Sequence, residues 1–271
     1  MDTSQVTIAS SSICKECEDP PQVSVVPLEV RDLPRCTKPW EDIELPVDML
    51  LLTVKDCEFL SCISYLKGYH KSYLRDLGFV YFGEVGENEC MKVAVMACFV
   101  GSAGPGASFL TVRHAVTVLS PKCVFYVGFC SGLNYNQVKL GDVVISGKFL
   151  TERGRDDRKC KSPKCPITIP LSSRTATIIK RAADGWLPPL IDREELPVKV
   201  HRGGIFLSGT KELYNVEQGE ELVKRFPEAV AIDTDSEGER FETLYDQSIP
   251  KILLYLTFAI LGPLKRHLYH F

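Results

Sequence analysis

A chain of 271 residues, 45% hydrophobic and 25% charged, has the balance of a globular protein and enough length to bury a sizeable α/β core. Its formal charge of −3 carries no basic excess. That argues against a surface made for nucleic acid or another polyanion and favours a small, uncharged or modestly anionic ligand.

Residues 1–45 read as an irregular leader, with a polar run at Ser10–Ser12 and prolines at 20, 21, 27, 34 and 39. Within it, the apolar residues of Val23–Val30 are compatible with one strand. From Val47 the pattern changes to short apolar runs separated by helical spacing. Met49–Val54 predicts a buried strand, and Glu58–Leu66 a helix with Phe59, Ile63 and Leu66 on one side. Phe79–Phe82 and Val93–Val100 predict further strands. Phe109, Val112, Val116 and Leu119 recur at helical spacing, and Pro121 ends that helix. Strands are also predicted at Val124–Val127, Val143–Phe149, Gly204–Leu207 and Ala229–Ile232. Amphipathic helices intervene at Ser173–Ala183 and Glu217–Phe226. Alternating strands and helices predict an α/β domain over 46–247, its central, mostly parallel sheet covered on both faces. Residues 248–271 read as an atypical apolar tail. Its apolar run, Ile252–Leu264, is interrupted by Thr257, Gly262 and Pro263 and falls short of the roughly 20 residues a membrane span needs.

Eleven cysteines are many. Cys98, Cys123 and Cys130 stand in apolar runs, where a free thiol behaves as a small hydrophobe. The N-terminus has neither a basic segment nor an apolar stretch of signal-peptide kind, so a reduced, cytoplasmic protein is expected. Cys14 with Cys17, and Cys160 with Cys165, lack partner pairs at zinc-site spacing, so neither a metal nor a cofactor is expected.

In sheets of this kind ligands bind at the carboxyl ends of strands. Three such ends carry suggestive residues. Gly101–Ser108 is glycine-rich and precedes a helix, an arrangement suited to an anion; a strand-to-helix turn that needs glycine is the preferred reading. Val127–Leu133 reads as a glycine-flanked turn, followed by the Lys139–Asp142 turn that opens the next strand. Asp142 is expected to tie that turn down through backbone N–H groups rather than to act in catalysis. After the strand Ala229–Ile232 come four acids, Asp233, Asp235, Glu237 and Glu239. A carboxylate there suits two neighbouring sugar hydroxyls, and acids also suit a solvated helix start.

Taken together and in this order, Val127–Leu133, Leu140–Ser146, Gly204–Gly209 and the acidic strand end resemble the nucleoside phosphorylase superfamily, which includes methylthioadenosine/S-adenosylhomocysteine nucleosidase. The resemblance spans about Val47 to Glu239. It implies a three-layer αβα sandwich with a mostly parallel or mixed sheet, a homo-oligomer, a purine nucleoside as ligand, and cleavage of its N-glycosidic bond. Glu58, in Thr53–Phe59, matches the glutamate that activates the nucleophilic water; an ordinary helix glutamate is the alternative. Phe129, Cys130, Ser131 and Gly132 match the turn beside base and sugar. Thr234 and Asp235 match the residues that cover and bind the ribose.

This sequence also departs from the pattern. Asp233-Thr-Asp235 stands where a longer glutamate and an apolar methionine are usual, and Tyr126 and Phe129 stand where phosphorolytic members hold phosphate. Neither ring replaces a guanidinium fork, which favours hydrolysis over phosphorolysis. No Asp or Glu follows Asp246, so the aspartate that protonates the leaving base has no counterpart; His267 and His270 remain. The resemblance therefore implies a weakened nucleosidase, with a catalytically inactive nucleoside-binding module, or a poorly folded variant, as alternatives.

Overall fold

Alternating apolar side chains on β5 (Met91–Ala97) define the layers of the molecule. Val93 and Val95 point to one face, and Ala94 and Met96 to the other. A computed structural model describes residues 22–98, 107–133, 137–139, 141–151, 167–170, 173–194, 196–208, 216–233 and 253–259. On the first face lies α1 (Asp56–Ser64), which presents Phe59, Cys62 and Ile63, with Leu66 just beyond it, at the i, i+3, i+4, i+7 spacing of an apolar stripe. On the second lies α2 (Ala107–Leu119), burying Val112, Ala115, Val116 and Leu119 at the same spacing. That helix ends at Ser120, in the left-handed region at φ 45°, with Pro121 next, so the chain cannot continue helically. Helix, sheet and helix make the three layers.

The sheet is mixed. Its strands are β1 (Thr37–Lys38), β2 (Met49–Thr53), β3 (Lys67–Leu74), β4 (Gly78–Val85), β5, β6 (Cys123–Gly132), β7 (Val143–Thr151), β8 (Ile167–Pro170), β9 (Val200–Ser208), β10 (Ala229–Asp233) and β11 (Leu253–Ala259). The order runs β1-β3-β4-β5-β2-β6-β10-β9-β7-β11, with β8 on β7. β11 also pairs with β6, from Leu253 opposite Val124 to Ala259 opposite Cys130. β6, β10, β9, β7 and β11 therefore close into a ring, with β8 attached to the far half of β7. β2 is parallel to both β5 and β6, whereas β10 meets the end of β6 antiparallel. Two more helices, α3 (Ser173–Arg181) and α4 (Val216–Arg225), cover this half. Ile179 of α3 packs with Ile145 and Val200, and Leu222 and Val223 of α4, with Phe226 just after it, pack with Leu207 and Ile232.

The expected strands and helices appear; β1 and β8 are additional short strands, and other segments differ. β3 was not anticipated, because Lys67–Leu74 carries lysine, glycine and histidine and only one fully buried residue, Ser72. It forms as the partner of β4 across the turn Arg75–Leu77, where Gly78 takes φ 76°. The apolar run expected to be a tail supplies β11. In the leader, Val23–Val30 is not a continuous strand. Val23 makes an isolated bridge to Leu190, and Val30 opens a 3-10 turn, Val30–Asp32. Among the described residues no helix is long and apolar enough to cross a membrane.

Candidate functional site

Phe129, Cys130, Ser131 and Gly132 do not form the expected turn. They are the last four residues of β6, a continuous ten-residue strand. Local preference for a turn at Gly128 and Gly132 is overridden by pairing on both sides: Phe129 and Cys130 lie opposite Phe258 and Ala259, and Ser131 and Gly132 lie opposite Ile232 and Ala231. The strand end predicted to contact base and sugar is thus brought directly against the strand that ends in Asp233. Thr234 and Asp235 lie outside the described residues, as do Gly101–Gly106, the Cys14/Cys17 and Cys160/Cys165 pairs, His267 and His270.

Glu58 occupies the third position of α1 and is buried, 5% exposed. Its Oε2 accepts hydrogen bonds from the backbone N–H groups of Val54 and Lys55, each at 2.9 Å. This is the reach-back of a glutamate at N3 to the start of its own helix. Its Oε1 accepts the N–H of Phe129, also at 2.9 Å. One carboxylate therefore bonds the β2–α1 turn to the last part of β6. Gly128 makes room for it: a Cβ there would stand 2.9 Å from Oε1 and 3.1 Å from Cδ of Glu58. Among the described residues, three of the roughly four acceptor positions of the carboxylate are filled, which leaves about one.

Lys55, at the N-cap of α1, extends its ammonium to 5.8 Å from the centre of the Phe129 ring, within cation–π range. The Thr53 hydroxyl, buried at the end of β2, contacts the Met96 carbonyl at 3.5 Å, while the Thr53 carbonyl accepts the Cys98 N–H at 2.6 Å. The parallel strand ends are held at one level in this way. Sequence reasoning missed the Lys55–Phe129 pair; the adjacency of Lys55 to the turn was the available signal.

The nearby thiols are poor nucleophiles. Burial, followed by the charge of Glu58, pushes Cys62 up to about 12, and burial with the same neighbour raises Cys57. Among the described residues no three His, Cys, Asp or Glu side chains group so as to hold a metal ion.

Asp142 has the anchoring role expected for it. Its Oδ2 accepts the Lys139 N–H at 2.9 Å, closing the turn, and its Oδ1 accepts the Lys199 N–H at 2.9 Å. His201 Nε2 lies 2.8 Å from Oδ2, and the two side chains are 11% and 2% exposed. Burial acts to raise the Asp142 carboxyl, but the amides of Lys139 and Lys199 and the His201 ring together outweigh it and hold it below the usual carboxylate range. His201 is 59 residues away in sequence, so no local spacing announces the pair.

No protein-family model matches this sequence, and no curated protein matches it. Solved structures do. A 5′-methylthioadenosine/S-adenosylhomocysteine nucleosidase of Neisseria meningitidis, in complex with methylthio-immucillin-A, is 17% identical, with a TM-score of 0.58 over 78% of this chain and 84% of its own. The S. pneumoniae nucleosidase of the same kind, with a transition-state inhibitor, is 12% identical, with a TM-score of 0.57 over 78% and 84%. A futalosine hydrolase mutant of Helicobacter pylori is 16% identical, with a TM-score of 0.55 over 79% and 89%. The chain therefore has the fold of these nucleosidases.

Proposed function

We propose that the chain binds a purine nucleoside at the joined ends of β2, β6 and β10 and cleaves its N-glycosidic bond by hydrolysis. The observation that carries this reading is Glu58, a buried carboxylate fixed between the α1 start and Phe129 with one acceptor position left. A water held at that position attacks C1′ of the ribosyl group as the bond to the purine breaks. The water's proton passes to Glu58, and the bonding electron pair leaves with the purine, which must gain a proton. Phe129, Cys130, Ser131 and Gly132 line base and sugar, and Thr234 and Asp235 take the ribose. Residues 247–271 offer no Asp or Glu to protonate the leaving base. General acid assistance contributes about 10²–10⁴-fold, so turnover is expected to be slow.

A second reading, a nucleoside-binding module without turnover, is favoured by the same three N–H bonds, since they account for Glu58 as a structural clamp. Chromatography for free purine base after incubation with adenosine, inosine and methylthioadenosine, run beside calorimetric titration of the same nucleosides, separates the two. A nucleosidase releases base and loses that release in Glu58→Ala while a folded variant still binds. Saturable heat without free base makes the chain a binding module.

A further inference from the structure

We propose a second, anion-binding site, for a phosphate-bearing molecule of nucleotide size, in the groove between α3 and the middle of β7 and β9. The groove has a volume of about 650 Å³, and no residue of the nucleoside site lines it among those described. It opens where the ladder between β7 and β9 is irregular. Its register shifts on both sides of Ser146, and Gly147 comes so close to Gly203 that a Cβ on Gly147 would fall 2.5 Å from the Gly203 carbonyl oxygen. Gly203 itself, at φ 76°, has nothing within 4 Å of where its own Cβ would stand, so bare backbone faces open space there. Ile179, packed on Ile145, closes the floor.

The charge of the lining is what selects the ligand. Lys148, Lys180, Arg181 and Arg202 face a single acid, Asp184, among the described residues of the groove. Asp184 takes both guanidinium groups: Arg202 Nη1 donates to Oδ1 at 2.8 Å and Arg181 Nη1 to Oδ2 at 3.2 Å. A further bond from Arg202 Nη1 to the Lys180 carbonyl, at 3.0 Å, ties β9 to the end of α3. Neither Lys148 nor Lys180 has an ion pair or hydrogen bond through its ammonium among the described residues. One carboxylate thus leaves an excess of three positive charges in one concavity, on a chain whose overall formal charge is −3. A lone carboxylate ligand would leave most of that excess unmatched, whereas a phosphomonoester or diphosphate, carrying about two charges or more, matches it. A nucleic acid would need a stripe of cations along its backbone rather than four around one hollow.

The test is calorimetric titration of the full chain with pyrophosphate, with adenosine monophosphate and with a single-stranded oligonucleotide, at low and at physiological ionic strength. The variants are Lys148→Glu with Lys180→Glu, the neutral pair Lys148→Gln with Lys180→Gln, and Glu58→Gln. Both lysines are exposed, and thermal melts check that the variants fold. Pyrophosphate and the monophosphate are expected to bind saturably, one per chain. Affinity should fall at least about tenfold in the charge-reversed pair, less in the neutral pair, and stay unchanged in Glu58→Gln. Absence of saturable binding overturns the proposal, as does binding that survives the charge reversal or is lost in Glu58→Gln. Binding of the oligonucleotide alone would replace the small-molecule site with a polyanion surface.

Discussion

Replacing Gly128 with alanine places a methyl group 2.9 Å from Glu58 Oε1, 3.1 Å from its Cδ and 3.3 Å from its Oε2. The carboxylate is buried and held by three backbone donors, so it has little freedom to swing aside. Either it moves and loses the Phe129 N–H bond, or β6 bows away from α1. A hydrogen bond to a charged group is worth about 1.5–3 kcal/mol, and overpacking costs about 1–3 kcal/mol. We therefore expect Gly128→Ala to destabilise by about 2–4 kcal/mol, a loss of roughly 5–15 °C in melting temperature for a domain of this size. The assay is thermal or urea unfolding followed by circular dichroism, in a double-mutant cycle with Glu58→Ala. Removing Glu58 leaves three amide N–H groups without their acceptor, at a cost of several kcal/mol, but it also clears the space the methyl needs. In that background Gly128→Ala should be close to neutral, giving a coupling energy of about 2 kcal/mol or more. Equal destabilisation with and without Glu58 would refute the argument, because the methyl would then be colliding with something other than the carboxylate.

Other outcomes follow from single groups. Asp142 has its carboxyl pKa lowered on folding, so its contribution is fully present above about 3.9, the ordinary unfolded value, and disappears as pH falls through the lower folded value. The difference in urea midpoint between wild type and Asp142→Asn should therefore be constant at neutral pH and shrink below about pH 4; a gap that widens on acidification contradicts the assignment. Ser146 is buried on β7, and its hydroxyl has no hydrogen-bond partner among the described residues. Ser146→Ala should stabilise by about 1 kcal/mol, measured by the same unfolding curves, and destabilisation would reveal an uncounted partner. Thiol labelling at pH 8, read by mass spectrometry, should mark the exposed Cys36 and Cys90 in the native protein and spare the buried Cys62, Cys98 and Cys130 until it unfolds. Labelling of Cys62 as fast as Cys36 would contradict its burial. Ile63 is fully buried beneath α1, so Ile63→Ala should cost about 2–5 kcal/mol in urea unfolding, and a smaller loss would mean the site collapses around the gap.

The apolar rhythm of the sequence determined the layers before any coordinates. Phe59, Ile63 and Leu66, and Val112, Val116 and Leu119, recur with the helical period, while the runs at Met49–Val54 and Val93–Val100 lack it. Such local spacing decides which face of an element is buried and therefore which class of fold can bury it. The order of short motifs along the chain singled out Glu58 and the strand ending at Asp233, but it gave a turn where β6 continues as strand. Tertiary structure decided the rest, since it turns on partners far apart in sequence. Gly128 to Gly132 has turn composition but becomes strand because β11, more than 120 residues later, and β10 supply the pairing. Lys67–Leu74 has no apolar run to announce it, yet β4 recruits it into the sheet. The contact of Glu58 with Phe129 spans 71 residues and that of Asp142 with His201 spans 59. A hydrogen bond at that range leaves no periodic trace in a sequence, because only the folded chain brings donor and acceptor within reach.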